Sequence, residues 1–152
     1  MINFSHICSA INDRLVKFNS ILSEQNQIPE VQESVFFQLE GKCWIGENQI
    51  NLGELDYPGV YFIVGETNDE KPVIYIGKAS FSSSIGRRFN NHLYKTYNEN
   101  TKYFEWNSVP CKLLRAYTIN LSDKKFMSSA LEEFMINELK QDFTLVNGVG
   151  NY

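Results

Sequence analysis

Five side chains stand in an order that suits the cutting of a phosphodiester bond: Tyr61, Tyr75, Arg88, His92 and Glu132. That reaction needs a deprotonated nucleophile, neutralised non-bridging oxygens and help for the leaving group. A guanidinium stays charged and forks onto two phosphate oxygens, so Arg88 is the candidate for stabilising transition-state charge. His92 can hold an attacking water, hydrogen-bond a phosphate or orient Tyr61. Glu132 is the candidate ligand for one divalent metal, and a single carboxylate completed by waters and phosphate suits Mg²⁺ or Mn²⁺. A second reading of the same glutamate stays open. Ser129-Ala130-Leu131-Glu132 also spells a capping box, in which the carboxylate only closes a helix N-terminus. Glu133 points about 100° away on a helix and is the weaker ligand.

The elements that must hold these groups can be read from the pattern. Gly59-Val60-Tyr61 and Tyr75-Ile76-Gly77 lie in apolar, β-branched runs on either side of a Gly-, Asn-, Asp- and Pro-containing stretch, 65–72. This predicts two antiparallel strands, 59–64 and 73–77, joined by a turn. Ser82 to Ser84 supply a helix start. Ile85, Phe89 and Leu93 then form the inward stripe, with Arg88 and His92 one turn apart on a neighbouring face. Cys111 to Ile119 reads as a third strand, and Ser128-Ser129 opens a helix with Leu131, Met135 and Leu139 inward.

Upstream, Ile7, Ile11, Leu15, Phe18 and Leu22 predict an amphipathic helix over 3–24. Strand-like segments follow at 33–39 and 43–45, then a loop over 46–58 with room for a short strand at 49–52. The expected fold class is α+β: a small three-stranded antiparallel sheet flanked by helices in the order β-β-α-β-α, with an N-terminal helix-plus-strand extension. The division falls at 1–56 for the extension and 57–152 for the domain that carries the candidate site. Removal of residues 1–27 is expected to leave that domain folded.

The net charge of −4 is unevenly spread: −8 over 1–70, +6 over 71–115 and −2 over 116–152. The basic segment carries Tyr75, Arg88 and His92, and a local basic patch attracts phosphates even on an acidic chain. A solvated helix face would give the same charge pattern. No apolar run is long enough to span a membrane, and the N-terminus lacks a basic region ahead of an apolar stretch. Cys8, Cys43 and Cys111 are few and widely spaced, as expected of reduced thiols in a cytoplasmic protein.

With these elements in place, the chain resembles the GIY-YIG nuclease family over roughly residues 57–149. Gly59-Val60-Tyr61 stands for the first motif, with Val where the family usually has Ile, and Tyr75-Ile76-Gly77 for the second. Arg88, His92, Glu132 and Asn147 fall in the family's order. The resemblance implies a metal-dependent endonuclease that hydrolyses DNA by attack of water, with RNA left open as a substrate. It implies Tyr61 as base or relay, Tyr75 on the water or phosphate, Arg88 on the phosphate, and Glu132 as ligand of Mg²⁺ or Mn²⁺. Lys78, Arg87 and Asn147 come with it as substrate-side residues, although an amide such as Asn147 also suits fixing the tail against the sheet.

A free tyrosine loses its proton near pH 10, so a Tyr61 base requires cationic neighbours such as Arg88, Lys78 and a metal. A covalent tyrosine nucleophile is a competing chemistry. A non-catalytic module that binds nucleic acid or protein through the same surface is a competing function. The N-terminal segment would then serve as a homodimer surface or dock a specificity partner. Tyr94, Tyr97, Tyr103, Phe104 and Trp106, interleaved with Lys95 and Lys102, read either as a base-stacking platform or as a packed loop.

Overall fold

The structure is a computed structural model that describes residues 1–31, 37–40, 43–45 and 55–147, without the side chains of 37–40, 43–45, 90 and 92–95. Helix α1 (Phe4–Asn19) is followed by strands β1 (Phe37–Glu40), β2 (Cys43–Ile45), β3 (Gly59–Thr67) and β4 (Pro72–Ala79). Helix α2 (Ile85–Thr96), strands β5 (Tyr97–Asn98), β6 (Tyr103–Trp106) and β7 (Val109–Asn120), helix α3 (Ser128–Leu139) and strand β8 (Thr144–Leu145) complete the order. No helix among the described residues is long and apolar enough to cross a membrane.

The α+β class holds, but the sheet is larger than the three strands expected, and it is mixed. Six strands run in the order β2-β1-β7-β3-β4-β8, and a β5–β6 ribbon attaches to β7. The expected nucleus is present: β3 pairs antiparallel with β4 and β7, with Tyr61 opposite both Gly77 and Thr118. What enlarges it is the length of β7. Its 12 residues leave a second edge that β1 takes near Ala116 and β6 takes near Cys111. β8 adds a parallel strand on β4 through Val73 and Ile74 alone. Residues 33–36 and the short strand expected at 49–52 lie outside the described residues.

The segment read as a loop of aromatics is instead a hairpin, because Asn107 and Ser108 both have positive φ and close a two-residue turn between β6 and β7. Phe104 and Trp106 alternate inward from it and are buried. They are core residues, not an exposed stacking platform.

Side-chain alternation gives the sheet two covered faces. Val60, Phe62 and Val64 of β3 join Ile74, Ile76, Tyr117 and Ile119 in one core, which α1 and α3 cover. Tyr61 and Ile63 join Ala79, Phe104, Trp106 and Ala116 in the other, which Ile85 and Phe89 of α2 cover. Helix α1, capped by Asn3 accepting from the His6 amide, contributes Ile7, Ile11, Leu15 and Phe18 to the first core. It is further tied to α3 by a Lys17–Glu138 ion pair at 2.6 Å and by Arg14 with Asp142. Residues 1–27 thus build one wall of a core that the central strands share, which argues against the expectation that they are dispensable.

Candidate active site

The two tyrosines are brought together by the β3–β4 register. Tyr61 is opposite Gly77 and Tyr75 opposite Ile63, so the phenols lie on the α2 side of adjacent strands, one pair apart. Their ring centroids are 6.2 Å apart. Phe89 of α2 holds Tyr61 at 5.0 Å, and Trp106 of β6 holds Tyr75 at 4.9 Å. Gly77 makes this possible: a Cβ there would run into the Tyr61 ring. Gly59, where a Cβ would overlap the Ile119 carbonyl, lets β3 start close against β7.

The hydroxyls are linked. One hydrogen bond between them strengthens the hold of Tyr61 on its proton and weakens that of Tyr75. Burial raises both pKa values above the ordinary 10, that of Tyr61 the more strongly. The cationic neighbourhood required of a Tyr61 base is present only in part. Arg88 favours the phenolate, but burial outweighs it and Glu132 opposes it. Tyr61 therefore keeps its proton at neutral pH, and Tyr75 is the less buried of the two phenols.

Arg88 sits in the first turn of α2, which Ser84 caps by accepting from the Arg87 amide at 3.2 Å. Its side chain is exposed, and its charge acts on Tyr61, Tyr75 and Glu132 alike. Glu132 comes from the opposite layer, on the second turn of α3. The two layers meet at the end of β4, where pairing with β8 has stopped at Ile74. Here Lys78 Nζ lies 3.7 Å from Glu132 Oε1 and donates to Ser129 Oγ at 3.0 Å.

The capping-box reading of Glu132 falls away. Residues 125–127 form a 3₁₀ turn leading straight into α3, the N-cap position is Met127, and no side chain caps the helix. Glu132 is inside the helix, with 8% of its side chain exposed. Burial lifts its pKa to about 6, against the pull of Lys78 and Arg88. A buried carboxylate whose cations do not fully offset its desolvation is a fitting ligand for a divalent ion. The hydroxyl of Ser128, four residues earlier on the same helix face, is fully buried without a hydrogen-bond partner. Among the described residues no three His, Cys, Asp or Glu side chains converge on one point. A metal here would thus be held by Glu132 alone, with waters and substrate oxygens filling the other positions.

The remaining candidates are dispersed. Asn147 is a clamp: its Oδ1 accepts from the Ile76 amide at 3.0 Å and its Nδ2 donates to the Ile76 carbonyl at 2.6 Å. Both polar atoms bond the Ile76 backbone, which fixes the tail along β4. Arg87 is exposed and points to solvent, away from the phenols' core. His92 lies on α2 one turn beyond Arg88, and its side chain is outside the described residues. Two partners were not foreseen. Ser129 fixes Lys78, and Tyr57 bonds Thr118 Oγ1 at 2.9 Å beside Tyr61. The first is invisible without the β4–α3 contact; the second follows a proline-flanked loop with no periodicity to read. No family model, no curated protein and no solved structure matches the chain.

Proposed function

We propose that the chain is a metal-dependent endonuclease of the GIY-YIG type that hydrolyses DNA phosphodiester bonds by attack of water. The observation that carries this reading is the convergence of the Tyr61–Tyr75 hydroxyl pair, Arg88 and Glu132 into one electrostatically coupled group at the end of β4. The residues that resemble the family motifs in sequence are the same ones that act on each other in space.

In this reading Arg88 neutralises the non-bridging oxygens, a role its exposure and permanent charge suit. Tyr75 receives the attacking water or the phosphate. Tyr61, protonated and buried, donates to the Tyr75 oxygen and fixes where its lone pairs and proton point. As the attacking water bonds to phosphorus and the bond to the leaving oxygen breaks, the water's proton passes to the Tyr75 oxygen and Tyr75 gives its own to solvent, with Tyr61 as the positioning residue. A divalent cation on Glu132 would polarise the phosphate and stabilise the leaving oxygen. Lys78, next to that carboxylate, holds it in place through Ser129.

The Lys78–Glu132 pair also supports a second reading. Its ammonium already lies beside the carboxylate, as it would in a module that binds nucleic acid without cutting it. Supercoiled plasmid with Mg²⁺ or Mn²⁺ separates the two. Nicking that disappears with EDTA and in Glu132→Ala supports the nuclease. An intact plasmid with folded wild type, across both metals and several DNA forms, leaves the binding module.

A further inference from the structure

The only exposed phenylalanines among the described residues, Phe81 and Phe126, both lie at the end of the sheet that holds the candidate site. Ala79, Gly59 and Asn120 form one row across β4, β3 and β7, so the ends of β4 and β7 are two strand spacings apart, about 10 Å. Phe81 is in the short loop that leaves β4 for α2, and Phe126 is in the turn that leads into α3. These loops feed the helix starts that carry Arg88 and Glu132, and the Leu121 amide ties the second loop to Pro58 at 2.9 Å. Each ring keeps about two thirds of its surface in water, 68% for Phe81 and 64% for Phe126.

Cations stand near both rings in the chain: Arg87 and Arg88 in the first turn of the helix that follows Phe81, Lys124 and Lys125 directly before Phe126. Arg87, Lys124 and Lys125 make no salt bridge with the described residues. Asp123 is the one acidic residue in the second loop. Exposed rings alternating with unpaired cations around a phosphate-handling cluster match the way unstacked nucleotides are held, with bases on aromatic faces and phosphates on charge. A paired duplex offers its phosphates but keeps its base faces stacked, and would leave both rings in water.

We infer that Phe81 and Phe126 stack on unpaired bases on either side of the scissile phosphate, so that the substrate is single-stranded or locally unpaired DNA. This rests on the nuclease reading and specifies its substrate.

The test is binding in EDTA by the full chain. One probe is a short single strand carrying 2-aminopurine, and the other is its fully paired duplex. The single strand is expected to bind at least about tenfold tighter than the duplex, with quenching of the 2-aminopurine. The double variant Phe81→Ala, Phe126→Ala is expected to lose about tenfold or more in single-strand affinity and to lose the quenching. Phe81→Trp and Phe126→Trp are expected to keep both. Both positions are exposed, so unchanged cooperative unfolding of the variants is the accompanying control.

Unchanged affinity in the alanine variant, or a duplex bound as well as the strand, overturns the inference. So does the absence of nucleic-acid binding, which would leave the rings to a protein partner. Metal-dependent cleavage without any effect of the rings sinks this inference alone. Ring-dependent binding without metal-dependent cleavage sinks the nuclease reading alone.

Discussion

Glu132→Gln is expected to make the protein more stable at alkaline pH while abolishing cleavage. In the folded chain burial holds the Glu132 pKa at about 6, against an ordinary value of 4.5. The difference of about 1.5 units corresponds to about 2 kcal/mol. Because the folded pKa is raised, the native state binds the proton more tightly than the unfolded chain. Below the unfolded pKa both states are protonated and there is no penalty. As pH rises through 6 the native state loses about 2 kcal/mol relative to that limit. Glutamine never ionises and feels none of this, and Lys78, left without its partner, is exposed enough to be solvated.

The stability difference between variant and wild type should therefore move in the variant's favour by about 2 kcal/mol from pH 4 to pH 8. Roughly 1 kcal/mol of that is expected between pH 5 and pH 8. Urea unfolding in EDTA at several pH values measures it, and every other titrating group cancels in the difference. A difference that does not change with pH would refute the burial argument, as would a variant less stable than wild type at pH 8. Adding Mg²⁺ should stabilise wild type and leave Glu132→Gln unmoved.

A chain starting at residue 28 loses Ile7, Ile11, Leu15 and Phe18 from the shared core, at about 1.5–3 kcal/mol for each buried side chain. That is on the order of the whole stability of a small domain, so no cooperative unfolding transition is expected; a sharp one would show that β3, β4 and α3 hold without α1. Gly77→Ala puts a methyl into the Tyr61 ring and should cost about 1–3 kcal/mol by denaturant melting, together with most of the cleavage. A fully stable, active variant would mean that Tyr61 has room to move. Asn147→Ala removes both bonds to the Ile76 backbone and should cost about 1–3 kcal/mol. Faster amide exchange at Ile76 is the local signature, and unchanged exchange would contradict the clamp.

The hairpin and both helices of the candidate site were legible in the chain because each rests on local periodicity, and α2 on a local cap as well. The starts of α2 at Ser84 and α3 at Ser128 agree with the serine signals. What was not legible depends on meetings distant in sequence. Two-residue strands such as β5 and β8 exist only because a neighbour offers an edge, and no period can announce them. The Asn107-Ser108 turn lacks the glycine that usually marks such a hairpin, so Phe104 and Trp106 read as loop aromatics. That the amide of Asn147 suits fixing the tail was legible, but its partner, the Ile76 backbone, has no side-chain signature. The depth at which Tyr61 is buried was hidden for the same reason: its charge neighbours are visible in sequence, but the packing around it is not.

The pairing of β3 with β7 sets an order on how the molecule comes into being. Gly59 meets Ala79 twenty residues later, but meets Asn120 only after about sixty. The short loop closes early at small entropic cost, while the long one must wait for α2 and the β6–β7 hairpin to shorten the effective distance. Tyr61 and Tyr75 therefore become neighbours at the first step, and Glu132 reaches them only when β7 has docked and α3 has packed behind it. The carboxylate thus joins the phenols and Arg88 only at the step that completes the core.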